Sequence, residues 1–277
     1  MFTRPSLILA ATCILSTPIQ AHEFWIQPED YTVAPGDPLR AGFRNGEEFE
    51  GSSLSYISTR STRLDMALGD GAVEPMPARL GDSPAIQMDA PAEEGLLILV
   101  HETADMRVTY TEREGRSAWE RFSGFVEHKD LAGVLEAHDA RGLSRDSIVE
   151  AYRRFAKALV AVGAGTGSDR DMGLRTEIVA GLNPYTDDLS GGLPVQVLLE
   201  GAPKPQAQIE MFERAPDGTV AITIHRADGE GRATLPVKAG HEYLLDSVAM
   251  LPLEPAGDLD PAWLSLWAAL TFAVPGA

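Results

Sequence analysis

Cysteine is nearly absent. The 277 residues hold one, Cys13, and it lies in the stretch that reads as a secretion leader. A disulfide framework and a thiolate metal site are therefore both excluded from the mature chain. Long apolar runs are missing too. Leu7–Leu15 is too short for a membrane span, which needs ~20 residues, and no later stretch reaches that length. Positive charge is scarce, with 23 Lys and Arg against 41 Asp and Glu and a net charge of −18. That balance excludes nucleic acid and anionic membrane surfaces as expected partners. It favours cations and basic partners, and it equally serves solubility. There is no His-x-His, no His-Glu-x-x-His and no Gly-x-Ser-x-Gly, so no catalytic or metal motif of fixed spacing is present.

What is there begins with the leader. Arg4 supplies a positive n-region, Leu7–Leu15 a short apolar core, and Pro18-Ile19-Gln20-Ala21 a small-residue cleavage site. Cleavage after Ala21 predicts a periplasmic protein that starts at His22 and has no membrane span. Losing residues 1–21 removes Arg4 and no acid, so the mature charge falls by one to −19. A lipid on Cys13 is not expected, because Thr12 and Ala10 fit that signal poorly. A first-residue histidine carries a free α-amine and an imidazole, with pKa values of roughly 7.7–8 and 6.5. Both nitrogens deprotonate near neutral pH for a metal, and they suit copper, nickel or zinc better than calcium or magnesium. The bland alternative is a solvated terminus that merely follows the cut.

The rest reads mainly as β with a helical insert (α+β): two Ig/transthyretin-like β-sandwich domains joined by a short helical segment. The predicted divisions are 1–21 (leader), 22–115 (first sandwich), 116–170 (helical segment and linker) and 171–277 (second sandwich). In the first sandwich, Leu39, Ala41 and Phe43 alternate with polar neighbours, Leu96–Val100 is continuously apolar, and Met106, Val108 and Tyr110 alternate again. The period then switches. Trp119, Phe122, Phe125 and Val126 fall at helical spacing, and Leu131, Val134 and Leu135 continue it. Ser147 and Glu150 match a capping box, with Ser144 as an equal alternative cap, ahead of an apolar stripe at Ile148, Tyr152, Phe155, Ala156, Leu159 and Val160, which predicts a second helix stopped at Gly163. Gly163–Asp169 lacks the Gly-Lys-Ser/Thr of a phosphate loop and is expected to be a hinge or linker. Strands return from Leu174, with Pro216-Asp217-Gly218 as a hairpin turn. Leu264–Val274 is expected to close the chain as a core strand, although its periodicity also allows a helix.

A metal site built on His22 needs one more imidazole. Five remain: His101, His128, His138, His225 and His241. His101 ends the most buried-looking strand of the first sandwich, and His128 lies at a helix end or loop beside Glu127 and Asp130, so these two are the preferred partners. His138 resembles His128 but does not share a helix face with it. His225 and His241 belong to the second sandwich. Each of the five has a structural reading, as a solvated or core-satisfied ring. The acidic pairs Asp187-Asp188 and Glu93-Glu94 read as solvated turns, with calcium at Asp187-Asp188 as a minor reading.

Ala21-His22-Glu23-Phe24-Trp25 after a leader resembles the start of a large family of secreted bacterial proteins of unknown function, labelled NikM-like. Glu48-Phe49-Glu50-Gly51, Tyr152–Leu159, Asn183-Pro184-Tyr185, Leu193-Pro194-Val195 and Ser265–Phe272 carry the likeness across the mature chain. The resemblance implies association with nickel or cobalt transport, and hence a metal-transport system in the inner membrane as partner. The second half also resembles transthyretin and carboxypeptidase regulatory sandwiches through Gly201-Ala202-Pro203, Asp228–Leu235 and Ala239–Tyr243, a pattern that marks scaffold rather than site. Three readings stand. The first is a non-enzymatic, periplasmic metal-binding accessory protein for nickel, cobalt or copper, using His22 with His101 or His128. The second is an interaction or structural module without metal. The third is a copper redox enzyme.

Overall fold

The computed structural model describes residues 23–257 and 259–276. The expected leader, its expected cleavage point and His22 lie outside the described residues. In chain order the elements are β1 (Glu23–Pro28), β2 (Thr32–Val33), β3 (Pro38–Glu47), β4 (Glu50–Leu54), β5 (Ser61–Leu68), β6 (Glu74–Pro75), β7 (Ile86–Asp89), β8 (Gly95–Thr103) and β9 (Met106–Tyr110). Two helices follow, α1 (Ala118–His128) and α2 (Val134–Ala140). Then come β10 (Ile148–Val162), β11 (Thr176–Ala180), β12 (Leu193–Leu199), β13 (Ala202–Pro203), β14 (Gln208–Arg214), β15 (Val220–Arg226), β16 (Arg232–Leu235), β17 (Glu242–Pro252) and β18 (Trp263–Ala273).

The strands form three sheets. A ten-stranded sheet runs β15-β14-β17-β18-β10-β8-β5-β6, with β2 and β9 also on β10. A four-stranded sheet of β1, β3, β4 and β7 packs on one of its faces, and a second of β11, β12, β13 and β16 packs on the other. The period of two decides which side chain goes where. On β8, Leu96, Ile98 and Val100 join a core with Ile178, Val195 and Val197, while Leu97 and Leu99 join another with Ile26, Leu39 and Phe43. The apolar run Leu96–Val100 is thus a strand buried on both faces, as expected. The mainly β fold with a small helical insert holds, and Leu264–Val274 belongs to strand β18 rather than to a helix, except for Val274 just past its end.

The stretch after Ser147 departs from expectation. Ile148–Val162 is not a helix but β10, the longest strand. Its register with β18 is parallel, Glu150 opposite Trp263 through Ala158 opposite Thr271, and β8 and β9 flank its other edge. Phe155 and Leu159 enter one core while Ala156, Ala158, Val160 and Val162 enter the other. Apolar residues fall on both faces of this segment, so a helical stripe can be picked out among them, and burial on both faces is what a central strand provides. The segment 116–170 is therefore part helix and part strand, and the ten-stranded sheet draws strands from all three expected segments. Gly163–Asp169 is a loop as expected, but it follows a strand and leads into no helix.

α1 carries the helical spacing expected at Trp119–Val126, and its start is a cap that the sequence reading does not name. Ser117 and Glu120 form a capping box, the Ser117 N–H donating to Glu120 Oε2 at 2.7 Å and the Glu120 N–H to Ser117 Oγ at 3.2 Å. Its apolar face, Phe122, Phe125 and Val126, packs with Trp263 and Trp267 of β18. Phe125 stacks on Trp267 with ring centroids 5.4 Å apart. This docking delivers the end of α1, His128 and Lys129, to the start of β1. No described helix is long and apolar enough to cross a membrane.

Candidate functional site

Strand β1 opens with Glu23 opposite Gly46 of β3, and its buried carboxylate meets two others. Lys129, just past α1, donates from Nζ to Glu23 Oε1 at 2.9 Å, to Glu210 Oε2 of β14 at 2.6 Å and to Asp246 Oδ2 of β17 at 2.9 Å. The Nζ also lies 5.2 Å from the centroid of the Trp267 ring. One oxygen from each carboxylate falls within 4.8 Å of the others, a spacing that would suit a metal ion. Here a buried ammonium stands among them. Burial alone would depress the Lys129 pKa, but Asp246, Glu23 and Glu210 outweigh it and hold the group above its ordinary value. Burial pushes Asp246 upward, and Lys129 offsets this only in part. Burial would raise Glu210 too, yet His128 and Lys129 pull it down to about 2.

Beside this cluster is a cavity of 110 Å³ bordered by Glu47, Glu48, His128, Glu23, Lys129 and Glu210. His128 is exposed, and its Nε2 lies 3.6 Å from Glu210 Oε1, the oxygen that Lys129 leaves open. That carboxylate raises the His128 pKa above 6.5 despite partial burial. Glu47 and Glu48 are set by an unusual hairpin. The two turn residues, Glu48 (φ 53°) and Phe49 (φ 61°), are both left-handed without being glycine, a conformation costing about 1–2 kcal/mol per residue. Packing holds them there. Phe49 is buried against Trp25, and Arg214 lies 3.9 Å over its ring and donates to its carbonyl. Gly51 completes the turn, since a Cβ there would stand 2.8 Å from both Trp25 and the Asn45 carbonyl oxygen.

His101 is placed elsewhere. It is buried on β8 between Phe24 and Phe43, with ring centroids at 5.3 and 4.1 Å. Its Nε2 is 2.9 Å from Ser61 Oγ, and the Ser61 hydroxyl hydrogen is directed to the Ile57 carbonyl at 3.3 Å. Its Nδ1 is buried and has no hydrogen-bond partner among the described residues. Burial lowers the His101 pKa to about 3, so the ring is neutral. Its cavity shares no lining residue with that of His128, and the two preferred partners of His22 are not brought together.

The remaining histidines are otherwise engaged. His138 accepts from Trp263 Nε1 at 3.1 Å and donates to the Ser144 carbonyl at 3.1 Å. His225 meets Thr223 Oγ1 at 2.9 Å, and His241 Nδ1 lies 3.1 Å from Glu213. The sequence reading assigns no site role to Lys129, Glu210, Asp246 or Glu23. The available signals were a carboxylate directly after His22 and two acids, Glu210 and Asp246, each beside apolar residues in its strand.

Among solved structures, a tetra-tandem repeat from the extending region of a large adhesion protein is similar at 9% identity and TM-score 0.22, over 92% of this chain and 50% of its own. The D0-D1 domain of intimin is similar at 10% identity and TM-score 0.21, over 90% and 97%. A variant of Salmonella alpha-2-macroglobulin is similar at 12% identity and TM-score 0.23, over 96% and 16%. The chain thus spans half the length of the first and a small part of the third. No curated protein matches. The model of one family, described as "Domain of unknown function (DUF4198)", matches residues 19–250, and the chain belongs to that family.

Proposed function

We propose that this protein is a periplasmic, non-enzymatic metal-binding accessory protein that handles nickel, cobalt or copper through its mature N-terminal His22. The observation that carries this reading is the acidic cavity at the first described residue, where His128 Nε2 and Glu210 Oε1 face each other at 3.6 Å. The carboxylate trio does not itself fit a metal, because Lys129 already bonds all three. His128 and Glu210 offer one nitrogen and one oxygen. The His22 amine and imidazole would complete four nitrogen and oxygen donors, a set suited to copper(II) or nickel(II). Glu47 and Glu48 add negative potential. The His101 cavity carries Arg60 and Arg154 instead, and a divalent cation about 5 Å from one guanidinium is repelled by several kcal/mol at an effective dielectric of about 20. This contrast in charge supports His128 rather than His101 as the partner of His22. The metal would pass to a transport system in the inner membrane.

Lys129 also supports a second reading, an interaction module without metal, since the fold has closed its best-formed cation cluster with its own ammonium. Calorimetry separates the two. Protein confirmed by mass to begin at His22 is stripped with chelator and titrated with Cu(II), Ni(II) and Co(II). One-to-one binding is expected, weakened at least about tenfold, or 1.4 kcal/mol, by His22→Ala and by His128→Ala. Because Glu210 raises the His128 pKa, proton competition weakens binding as pH falls through a value above 6.5. Absence of binding to an intact His22 terminus leaves the interaction module.

A further inference from the structure

β15 ends the ten-stranded sheet and pairs with β14 alone among the described strands. A free sheet edge presents a row of unpaired N–H and C=O groups, and natural chains blunt such edges with short strands, proline, lysine or a bulge. The other end of this sheet follows that rule, since β6 is only Glu74 and Pro75. β15 does not. It runs for seven residues without proline or lysine, and it keeps one register with β14 from Arg226 opposite Gln208 to Val220 opposite Arg214. Ala221, Ile222, Thr223 and Ile224 are all exposed, Ile222 at 41% and Ile224 at 53%. Side chains alternate along a strand, so Val220, Ile222, Ile224 and Arg226 share one face. That face is apolar with one basic end, and β15 carries no acid in a chain of net charge −18. Acids stand near its Val220 end instead. Arg214, opposite Val220, donates to the Phe49 carbonyl, and Ile222 borders the same cavity as Glu47 and Glu48. Arg226, at the far end, is exposed and ion-paired with Asp130.

We propose that β15 docks a second copy of this chain, the two β15 strands pairing antiparallel about a two-fold axis at Thr223. Such an axis uses the same patch on both copies, so the patch must complement itself. Here it does. Ile222 of each copy falls opposite Ile224 of the other, and these isoleucines leave water together. Val220 of each copy falls opposite Arg226 of the other. Each Arg226 thereby brings positive charge to the end where its partner carries Glu47 and Glu48. This register pairs every residue of β15, and moving the axis to Ile222 or Ile224 shortens the ladder. Parallel pairing would instead set Arg226 beside Arg226. The proposal rests on the strand edge and stands independently of metal binding.

The test uses chelator-stripped protein confirmed by mass to begin at His22, which has no cysteine of its own. Sedimentation is expected to show a reversible monomer–dimer equilibrium with Kd of about 1–100 µM, in keeping with a small interface. Ile224→Lys, an exposed change whose folding is checked by circular dichroism, places a charge on the edge and should weaken the dimer about tenfold or more. Thr223→Cys is expected to form a disulfide-linked dimer on oxidation with diamide, because the two copies of residue 223 stand opposite each other with Cβ atoms about 4.5–5.5 Å apart. Ala221→Cys, also exposed on this strand, should not, because its counterpart lies about 13 Å along the ladder. A monomer at every concentration up to about 500 µM overturns the proposal and leaves the edge to a strand of another protein. So does equal cross-linking of the two cysteine variants, or a dimer that Ile224→Lys leaves unchanged. Because no metal is present, these outcomes are independent of whether His22 binds one.

Discussion

At the scale of residues, two lysines are buried among acids and do related work. Lys129 ties α1 to β1, β14 and β17, while Lys157 on β10 meets Asp169 at 2.9 Å and Glu177 at 2.8 Å and pins the chain after the glycine loop. Removing one partner from such a group leaves uncompensated charge and typically costs 3–5 kcal/mol, so both clusters are read first as architecture. Glu150 is a buried acid without a lysine. Its oxygens accept from Tyr110 at 2.8 Å and from the Ser265 hydroxyl. Burial raises its pKa to about 7, against 4.5 for the unburied group, and the two hydrogen bonds and Arg154 offset this only partly. Between those values the folded state binds more protons than the unfolded state, so stability falls as pH rises. Glu150→Gln removes this penalty. Relative to the parent, the variant is expected to gain about 1–3 kcal/mol between pH 4.5 and 8, read by urea unfolding at both pH values. An unchanged difference would show that Glu150 does not titrate in this window.

At the scale of elements, the serine expected to start a helix, Ser147, precedes a strand, and the capping box belongs to Ser117 instead. Ser117→Ala is expected to cost about 1 kcal/mol, a Tm loss of about 2–4 °C for a chain of this size. Ser147→Ala, just before β10, should leave Tm nearly unchanged. Equal losses at both would contradict the strand. The difference between the two sites is tertiary. The apolar residues after Ser117 occupy one face, against Trp263 and Trp267, while those after Ser147 are needed on both faces of a central strand. Short-range pattern registers apolar spacing and turns, and for this reason most strands, α1 and the hairpin at Pro216-Asp217-Gly218 were legible. It does not register how many faces will be covered.

At the scale of the molecule, β10 joins what the sequence divided into halves. It lies between β18 from the C-terminal part and β8 from the N-terminal part, and both outer cores pack on the same ten-stranded sheet. Unfolding of the mature chain is therefore expected as one transition, coincident by circular dichroism and tryptophan fluorescence. Trp25 reports the β1 side, and Trp263 and Trp267 report β18. A fragment 171–277 would expose the β18 edge and the faces of Leu266 and Leu270, and is expected to be insoluble or unfolded. Two separated transitions, or a folded fragment, would show independent domains.

From its own residues the chain determined an acidic composition with a single cysteine and a β-rich fold with a helix around Trp119–Val126. These follow from composition, charge and periods of two or 3.6 along the chain, which act between near neighbours. Only the tertiary structure decided that Glu23, Lys129, Glu210 and Asp246 meet, since they come from four elements up to 223 positions apart. It also decided that His128 faces acids while His101 shares its cavity with arginines. The chemistry of an imidazole depends on the charges and solvent around it, and those are set by packing.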